Sequence, residues 1–333
     1  MTENTLSSPA APASLEVPVL DLGPYFAGEP GALERTAAEL RRIGERIGFH
    51  YIRNHGIDQA LIDRTFDETR RFHDQPLEAK MALKINAHMQ GYMPMKASTT
   101  RSSTLSTGNR PNLNEAFFVQ RETTRDPGAA EDLPPNQWPG DLPGFREAML
   151  AYYDAMDALA LRMLPIYAVA LDLAPDFFAQ AFRSPHCGLR VTHYPAADYE
   201  EKEFGIAPHT DSSFITLLAQ NRQAGLQIKT PDERWVDAPG IAGTIIVNSG
   251  DILNRWTNGR FLSTPHRALN VDRGPRYAIP FFVHPDWNYR MECLPTCCDA
   301  AHPPKHAPET TAEYFAWFGK KNYDHLRKPT EAN

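Results

Sequence analysis

Three side chains constrain this chain more than anything else in it. They lie in Pro208-His209-Thr210-Asp211 and Ser263-Thr264-Pro265-His266-Arg267. Alternate side chains of a β-strand share a face, so His209 and Asp211, followed by the β-type run Phe214-Ile215-Thr216-Leu217-Leu218, are expected to point from one strand to one spot. His266 comes 55 positions after Asp211, and only a fold that returns the chain beside its starting point brings it there. Antiparallel β-structure does this. Two imidazoles and one carboxylate on one side of a divalent metal leave its other positions open for ligands. Arg276 follows ten residues after His266, at the head of Arg276-Tyr277-Ala278-Ile279-Pro280-Phe281-Phe282. A planar guanidinium there suits bidentate capture of a carboxylate, which points to an anionic co-substrate.

The surrounding texture agrees with a β-fold. After Gly188 come short β-rich runs at Leu189 to Tyr194, Phe214 to Ala219, Leu226 to Ile228, Trp235-Val236, Thr244 to Asn248, His266 to Val271 and Tyr277 to Val283. Gly, Pro, Asn and Asp turns separate them, the pattern of a sandwich or jelly roll. Upstream, Val17 to Leu22 reads as a short strand. Leu33, Ala37, Leu40, Ile43 and Ile47 recur at helical spacing, with Gly48 as the stop. Phe49 to Arg53 reads as a strand and Asp58 as the N-cap of a further helix. Leu142 to Leu173 carries an apolar helical stripe that packs against the strands, with Pro165 expected to kink or divide it.

Residues 1 to 14 are Ser/Pro/Ala-rich and expected to be disordered. Ile85 to Gly128 is polar and irregular, with Met89, Met93, Met95 and a Ser/Thr-rich run from Ser98 to Thr107. Two readings stand equal here, a segment lining a substrate pocket and a mobile surface loop. The tail from Thr310, with Ala312 to Phe318, reads as a helix lying on the barrel or across its mouth.

Beyond the triad and Arg276, the chain carries Val191-Thr192-His193-Tyr194-Pro195, Gly225-Leu226-Gln227-Ile228, Val247-Asn248-Ser249-Gly250-Asp251 and Trp256-Thr257-Asn258-Gly259. With the N-terminal segment Gly48 to Gly56, these resemble the 2-oxoglutarate/Fe(II)-dependent oxygenases of the isopenicillin N synthase-like superfamily over residues 16 to 320. The resemblance implies a mainly β fold with flanking helices, a double-stranded β-helix (jelly roll) core with an N-terminal α/β region. That region would span 15–125 and the catalytic region 126–320, followed by a tail from 321 to 333.

The resemblance further implies Fe(II) on His209, Asp211 and His266 as the catalytic and metal-binding set. It places 2-oxoglutarate with its far carboxylate on Arg276, Tyr194 as a hydrogen-bond donor to it, dioxygen as oxidant and ascorbate as a stimulant. The implied reaction couples decarboxylation of 2-oxoglutarate to succinate with hydroxylation, desaturation or cyclisation of a small molecule, in secondary metabolism. One departure stands out: the family often has Arg-x-Ser where this chain has Arg276-Tyr277-Ala278, so a hydroxyl is absent. Two other readings remain open at this point, an Fe(II) oxidase of the same fold that uses no 2-oxoglutarate, and a non-catalytic binding or sensor protein.

A net charge of −7 argues against a nucleic-acid partner. No apolar run is long enough to span a bilayer, and the N-terminus lacks a signal-peptide pattern, so a cytoplasmic protein is expected; a monomer or weak homodimer is expected as well. The four cysteines do not form a disulfide framework. Cys293, Cys297, Cys298, His302 and His306 invite a zinc reading, but paired C-x2-C spacing is missing and thiols in a Pro-rich connection are favoured. His50 and His55 read as strand and turn residues, and His186 and His284 as histidines with no special role. Phe282 and Phe214 are candidates for an apolar wall near the metal.

Overall fold

The computed structural model describes residues 16–101, 103, 105, 110–122, 134–196, 203–269 and 274–322. The N-terminal tail, most of the Ser/Thr run past Thr100, and the residues from 323 onward, His325 included, lie outside them.

The first part of the chain runs through β1 (Val19–Asp21), α1 (Gly23–Phe26), α2 (Ala32–Arg46), β2 (Phe49–Arg53), α3 (Gln59–His73), α4 (Leu77–Met81), β3 (Gly91–Met93) and β4 (Glu115–Gln120). α2 buries Ala37, Leu40 and Ile43 along one stripe. It ends because Gly48 takes φ +63, where a Cβ would sit 2.2 Å from the Leu262 carbonyl oxygen. Asp58 caps α3 as its sequence position suggests, accepting from the Ala60 amide at 2.9 Å.

The long helix α5 (Phe145–Ala170) is continuous, and Pro165 lies inside it without dividing it. Its last turns are held by packing, since Leu164, Ile166, Tyr167 and Ala168 are buried on either side of the proline. Tertiary burial there outweighs one missing backbone hydrogen bond.

The strand-rich half comprises β5 (Pro185–Tyr194), β6 (Ile206–His209), β7 (Ile215–Gln220), β8 (Leu226–Lys229), β9 (Trp235–Asp237), β10 (Thr244–Ser249), α6 (Asp251–Trp256), β11 (His266–Ala268) and β12 (Arg276–Asp286). The pair β13 (Arg290–Met291) and β14 (Glu309–Thr310) then leads into α7 (Thr311–Asn322). One sheet has the order β1-β2-β10-β7-β12-β5-β4-β3 and the other β6-β11-β8-β9. Together they form the double-stranded β-helix. Strands of the N-terminal region extend the larger sheet at both edges, with β2 antiparallel to β10 and β4 antiparallel to β5.

The ladder between β5 and β12 organises the interior. Ile279, Phe281 and Val283 of β12, and Cys187, Leu189 and Val191 of β5, face the main core, where Tyr153 of α5 meets Phe281 edge-on at 5.0 Å. The alternate residues face the barrel interior. In register these are Arg276 with Tyr194, Ala278 with Thr192, Phe282 with Gly188, and His284 with His186.

Candidate metal centre and substrate cavity

His209 is the last residue of β6 and pairs across the small sheet with His266, the first residue of β11. Their rings lie 4.3 Å apart. Asp211 lies beyond β6, not on it, so the expectation that one strand presents both ligands is corrected. Past His209 the chain leaves the small sheet for β7 in the large one. The Asp211 carbonyl is caught at the head of α6 by the Asp251 amide at 2.7 Å. The outcome is still convergence: Asp211 Oδ1 stands 3.6 Å from His209 Nε2 and 3.6 Å from His266 Nε2.

The supports of these side chains set their chemistry. His209 Nδ1 meets the Ala207 carbonyl at 2.9 Å and His266 Nδ1 meets the Thr264 carbonyl at 3.2 Å. A carbonyl only accepts, so each Nδ1 carries a proton and each Nε2 is turned to the shared point. Burial, then the neighbouring His266, holds His209 well below the ordinary imidazole range, which keeps it neutral. Burial pushes the Asp211 carboxyl up. Hydrogen bonds donated by Thr216 and Asn248 favour its charged form, and it stays below its ordinary value. Asn248 Nδ2 donates to Asp211 Oδ2 at 2.8 Å. Asp251 accepts from Thr210 Oγ1 at 3.1 Å, Ser263 Oγ at 2.6 Å and the Tyr314 hydroxyl at 3.2 Å, tying the segments that carry Asp211 and His266 to α7.

Arg276 is 1 % exposed, yet among the described residues its Nε and Nη1 have no hydrogen-bond partner, and only Nη2 donates, to Gln220 Oε1 at 3.2 Å. The Tyr194 ring lies under the guanidinium with its centroid at 4.6 Å. Gly225 makes room for the arginine: a Cβ there would fall 2.1 Å from the Leu269 carbonyl oxygen and 3.0 Å from Arg276 Cδ. A buried cation with donors unspent fits a ligand carboxylate. Two imidazoles and a carboxylate that converge on one point fit a divalent metal with open positions. Both donor sets therefore suit Fe(II) and 2-oxoglutarate.

A cavity of about 330 Å³ opens beside His209 and Asp211. Ala87, His88, Met89 and Ser98 to Thr100 line it, as does α7 through Ala312, Phe315, Ala316, Phe318 and Asn322. The pocket reading of those parts of the irregular segment is thus the one the structure shows, and the C-terminal helix lies across the mouth. Phe282 lines the cavity, whereas Phe214 packs in the core against Phe178, Phe182 and Trp256, because it follows the turn into the large sheet with its ring on the α5 side. His266, Arg276 and Tyr194 are not among the lining residues.

The sequence reading missed the inner face of the β5–β12 ladder, where His186 and Arg190 of β5 and His284 of β12 line the cavity, with Trp287 joining them just past the end of β12. The alternation through Tyr194 and Arg276 carried that signal, since residues at even spacing from them share their face. Thr192, whose buried Oγ1 has no partner, was likewise not singled out as a site residue.

Among the described residues, His73, Glu115 and His193 also converge closely enough to hold a metal. A cation is already there: Lys80 Nζ donates to Glu115 Oε2 at 2.8 Å. The zinc reading of Cys293, Cys297 and Cys298 gains no such convergence; those thiols neighbour the Leu294 carbonyl and the Thr296 hydroxyl instead. No helix of the described residues is long and apolar enough to cross a membrane.

A jelly-roll barrel that presents two imidazoles and a carboxylate to one point, next to a cavity, has the layout of a mononuclear non-haem metal oxygenase. Comparison with known proteins agrees. Residues 185–285 match the family model of the 2OG-Fe(II) oxygenase superfamily, and residues 17–141 match that of the non-haem dioxygenase in morphine synthesis N-terminal region. The chain is 33% identical to the 2-oxoglutarate-Fe(II) type oxidoreductase hxnY of Emericella nidulans, over 95% of this chain and 91% of that one. It is 35% identical to azadirone synthase LFS of Melia azedarach, over 85% and 87%. A full-length Neurospora crassa protein crystallised in complex with alpha-KG and thymine superposes with a TM-score of 0.80 at 26% identity, covering 91% of this chain and 96% of that one. The chain belongs to the 2OG-Fe(II) oxygenase superfamily and is a 2-oxoglutarate- and Fe(II)-dependent oxidoreductase.

Proposed function

We propose that His209, Asp211 and His266 hold Fe(II), and that Arg276 holds the far carboxylate of 2-oxoglutarate, with the Tyr194 ring beneath it and the Thr192 hydroxyl nearby. The cavity beside His209 takes a small organic molecule and places one of its C–H bonds at the metal. The observation that carries this reading is the pairing of a convergent His, Asp, His set with a buried guanidinium whose Nε and Nη1 have no partner.

When bound, the metal and co-substrate supply an oxidation by dioxygen coupled to decarboxylation of 2-oxoglutarate to succinate. The chain's own residues do the rest. The Ala207 and Thr264 carbonyls keep the imidazole lone pairs aimed at the metal. Asn248 and the head of α6 hold Asp211 in place. Phe282, Phe315 and Phe318 cover the site with apolar surface that keeps water from the reacting atoms. Ascorbate stimulation and a place in secondary metabolism belong to the same reading. The test is anaerobic titration of Fe(II)-loaded protein with 2-oxoglutarate, followed by a metabolite screen for substrate-dependent succinate. A charge-transfer band and stoichiometric succinate are expected; oxidation of a substrate without succinate would overturn the reading.

A further inference from the structure

We propose that Arg190 anchors an acidic group of the organic substrate, and that this substrate is a carboxylate carried on a flat, apolar body. The proposal deepens the preceding reading and rests on it. Arg190 lies on β5 between Gly188 and Thr192, on the inner face, and lines the same cavity as His209 and Asp211. It is 8 % exposed. Its Nη2 donates to Asn114 Oδ1 at 2.6 Å, and its guanidinium rests over the Phe118 ring at 5.4 Å. Among the described residues its Nε has no partner and no carboxylate pairs with it.

Burying a guanidinium without a counter-ion is costly unless a ligand provides one. Asn114 contributes a neutral oxygen, which orients the fork without neutralising it. The far carboxylate of 2-oxoglutarate is not the missing anion. Arg190 lines the cavity, whereas Arg276 and its register partner Tyr194, four residues farther along β5, do not. The two buried arginines of this ladder therefore mark two separate anion positions.

The rest of the cavity describes what carries the acid. His186 and Trp287 rings lie 4.3 Å apart, and Phe315 lies 5.5 Å from Trp287, so one wall is made of ring faces and edges. Phe282 and Phe318 continue it. Such a wall favours a planar apolar body at low entropic cost.

The test uses 2-naphthoate and its uncharged amide, 2-naphthamide, titrated calorimetrically into Fe(II)- and 2-oxoglutarate-loaded protein without oxygen. The wild type is expected to bind the acid at least about tenfold more tightly than the amide, the scale of one charge-assisted contact. Arg190→Gln should erase that preference and Arg190→Lys should keep most of it, with the 2-oxoglutarate charge-transfer band unchanged in both. Equal binding of acid and amide by the wild type, or an acid preference that survives Arg190→Gln, overturns the proposal. If Arg190→Gln fails to fold, Arg190→Met takes its place with the same expected and overturning outcomes. Absence of the charge-transfer band in the wild type would sink the 2-oxoglutarate assignment alone, since the same titrations on protein loaded with Fe(II) only still read the role of Arg190.

Discussion

Thr192 and Ala278 stand directly opposite each other on the β5–β12 ladder, and the Thr192 hydroxyl is fully buried with no hydrogen-bond partner. The hydroxyl missing from position 278 is thus present one strand away, on the same face as Arg276. Thr192→Val is expected to weaken 2-oxoglutarate binding by roughly tenfold to a hundredfold, the worth of a hydrogen bond to a charged group. Adding Ala278→Ser to that variant should restore much of the loss, and Arg276→Ala should remove binding altogether. Anaerobic titration of the charge-transfer band measures all three; wild-type affinity in Thr192→Val would show that the hydroxyl is not used.

Asp211 depends on Asn248, whose amide holds the carboxylate oxygen turned away from the imidazoles. Asn248→Ala is expected to lower Fe(II) affinity about 10- to 100-fold, as loss of an outer hydrogen bond to a ligand does. Asp211→Ala should abolish binding while far-ultraviolet circular dichroism stays unchanged. Equilibrium dialysis of Fe(II) under argon checks both.

His50 on β2 is buried with neither ring nitrogen partnered, and burial pushes it down to about 3. The unfolded chain binds a proton on this residue below its ordinary value of 6.5 and the folded chain does not. Stability is therefore present above about 6.5 and is lost as pH falls toward about 3, with a slope of up to about 1.4 kcal/mol per pH unit. His186 and His284, pushed down by burial to about 4 and about 3, add in the same direction. His50→Phe should raise stability at pH 5 and flatten the pH dependence; urea unfolding at pH 7, 6 and 5 would reveal an unchanged slope if the argument is wrong.

Glu115 is buried among Lys80, His73, His193 and Tyr92, joining α3 and α4 to the large sheet. Burial alone would raise its carboxyl, but His193, His73 and Lys80 outweigh it and hold it far below the carboxylate range. Lys80→Met leaves that charge without its ammonium partner. A loss of about 3 to 5 kcal/mol is expected, read as a shift in the urea midpoint. A midpoint within error of the wild type would mean that the imidazoles carry the charge by themselves.

The convergence of His209, Asp211 and His266 was legible because metal chemistry admits few residue types, and because these three and Arg276 carry their company in short motifs. Helix ends were legible where one residue makes the end by itself, Asp58 by its carboxylate cap and Gly48 by its positive φ and missing Cβ. The position of Asp211 was not, since leaving a strand depends on where the next sheet lies. Nor was the continuity of α5 through Pro165, which distant packing decides. Strand alternation told which residues of β5 and β12 share a face, yet both faces of these strands are largely buried. Hydrophobicity then cannot say which face is inward. His186, Arg190 and His284 become cavity residues only once α5 covers one face of the ladder and the small sheet and α7 enclose the other.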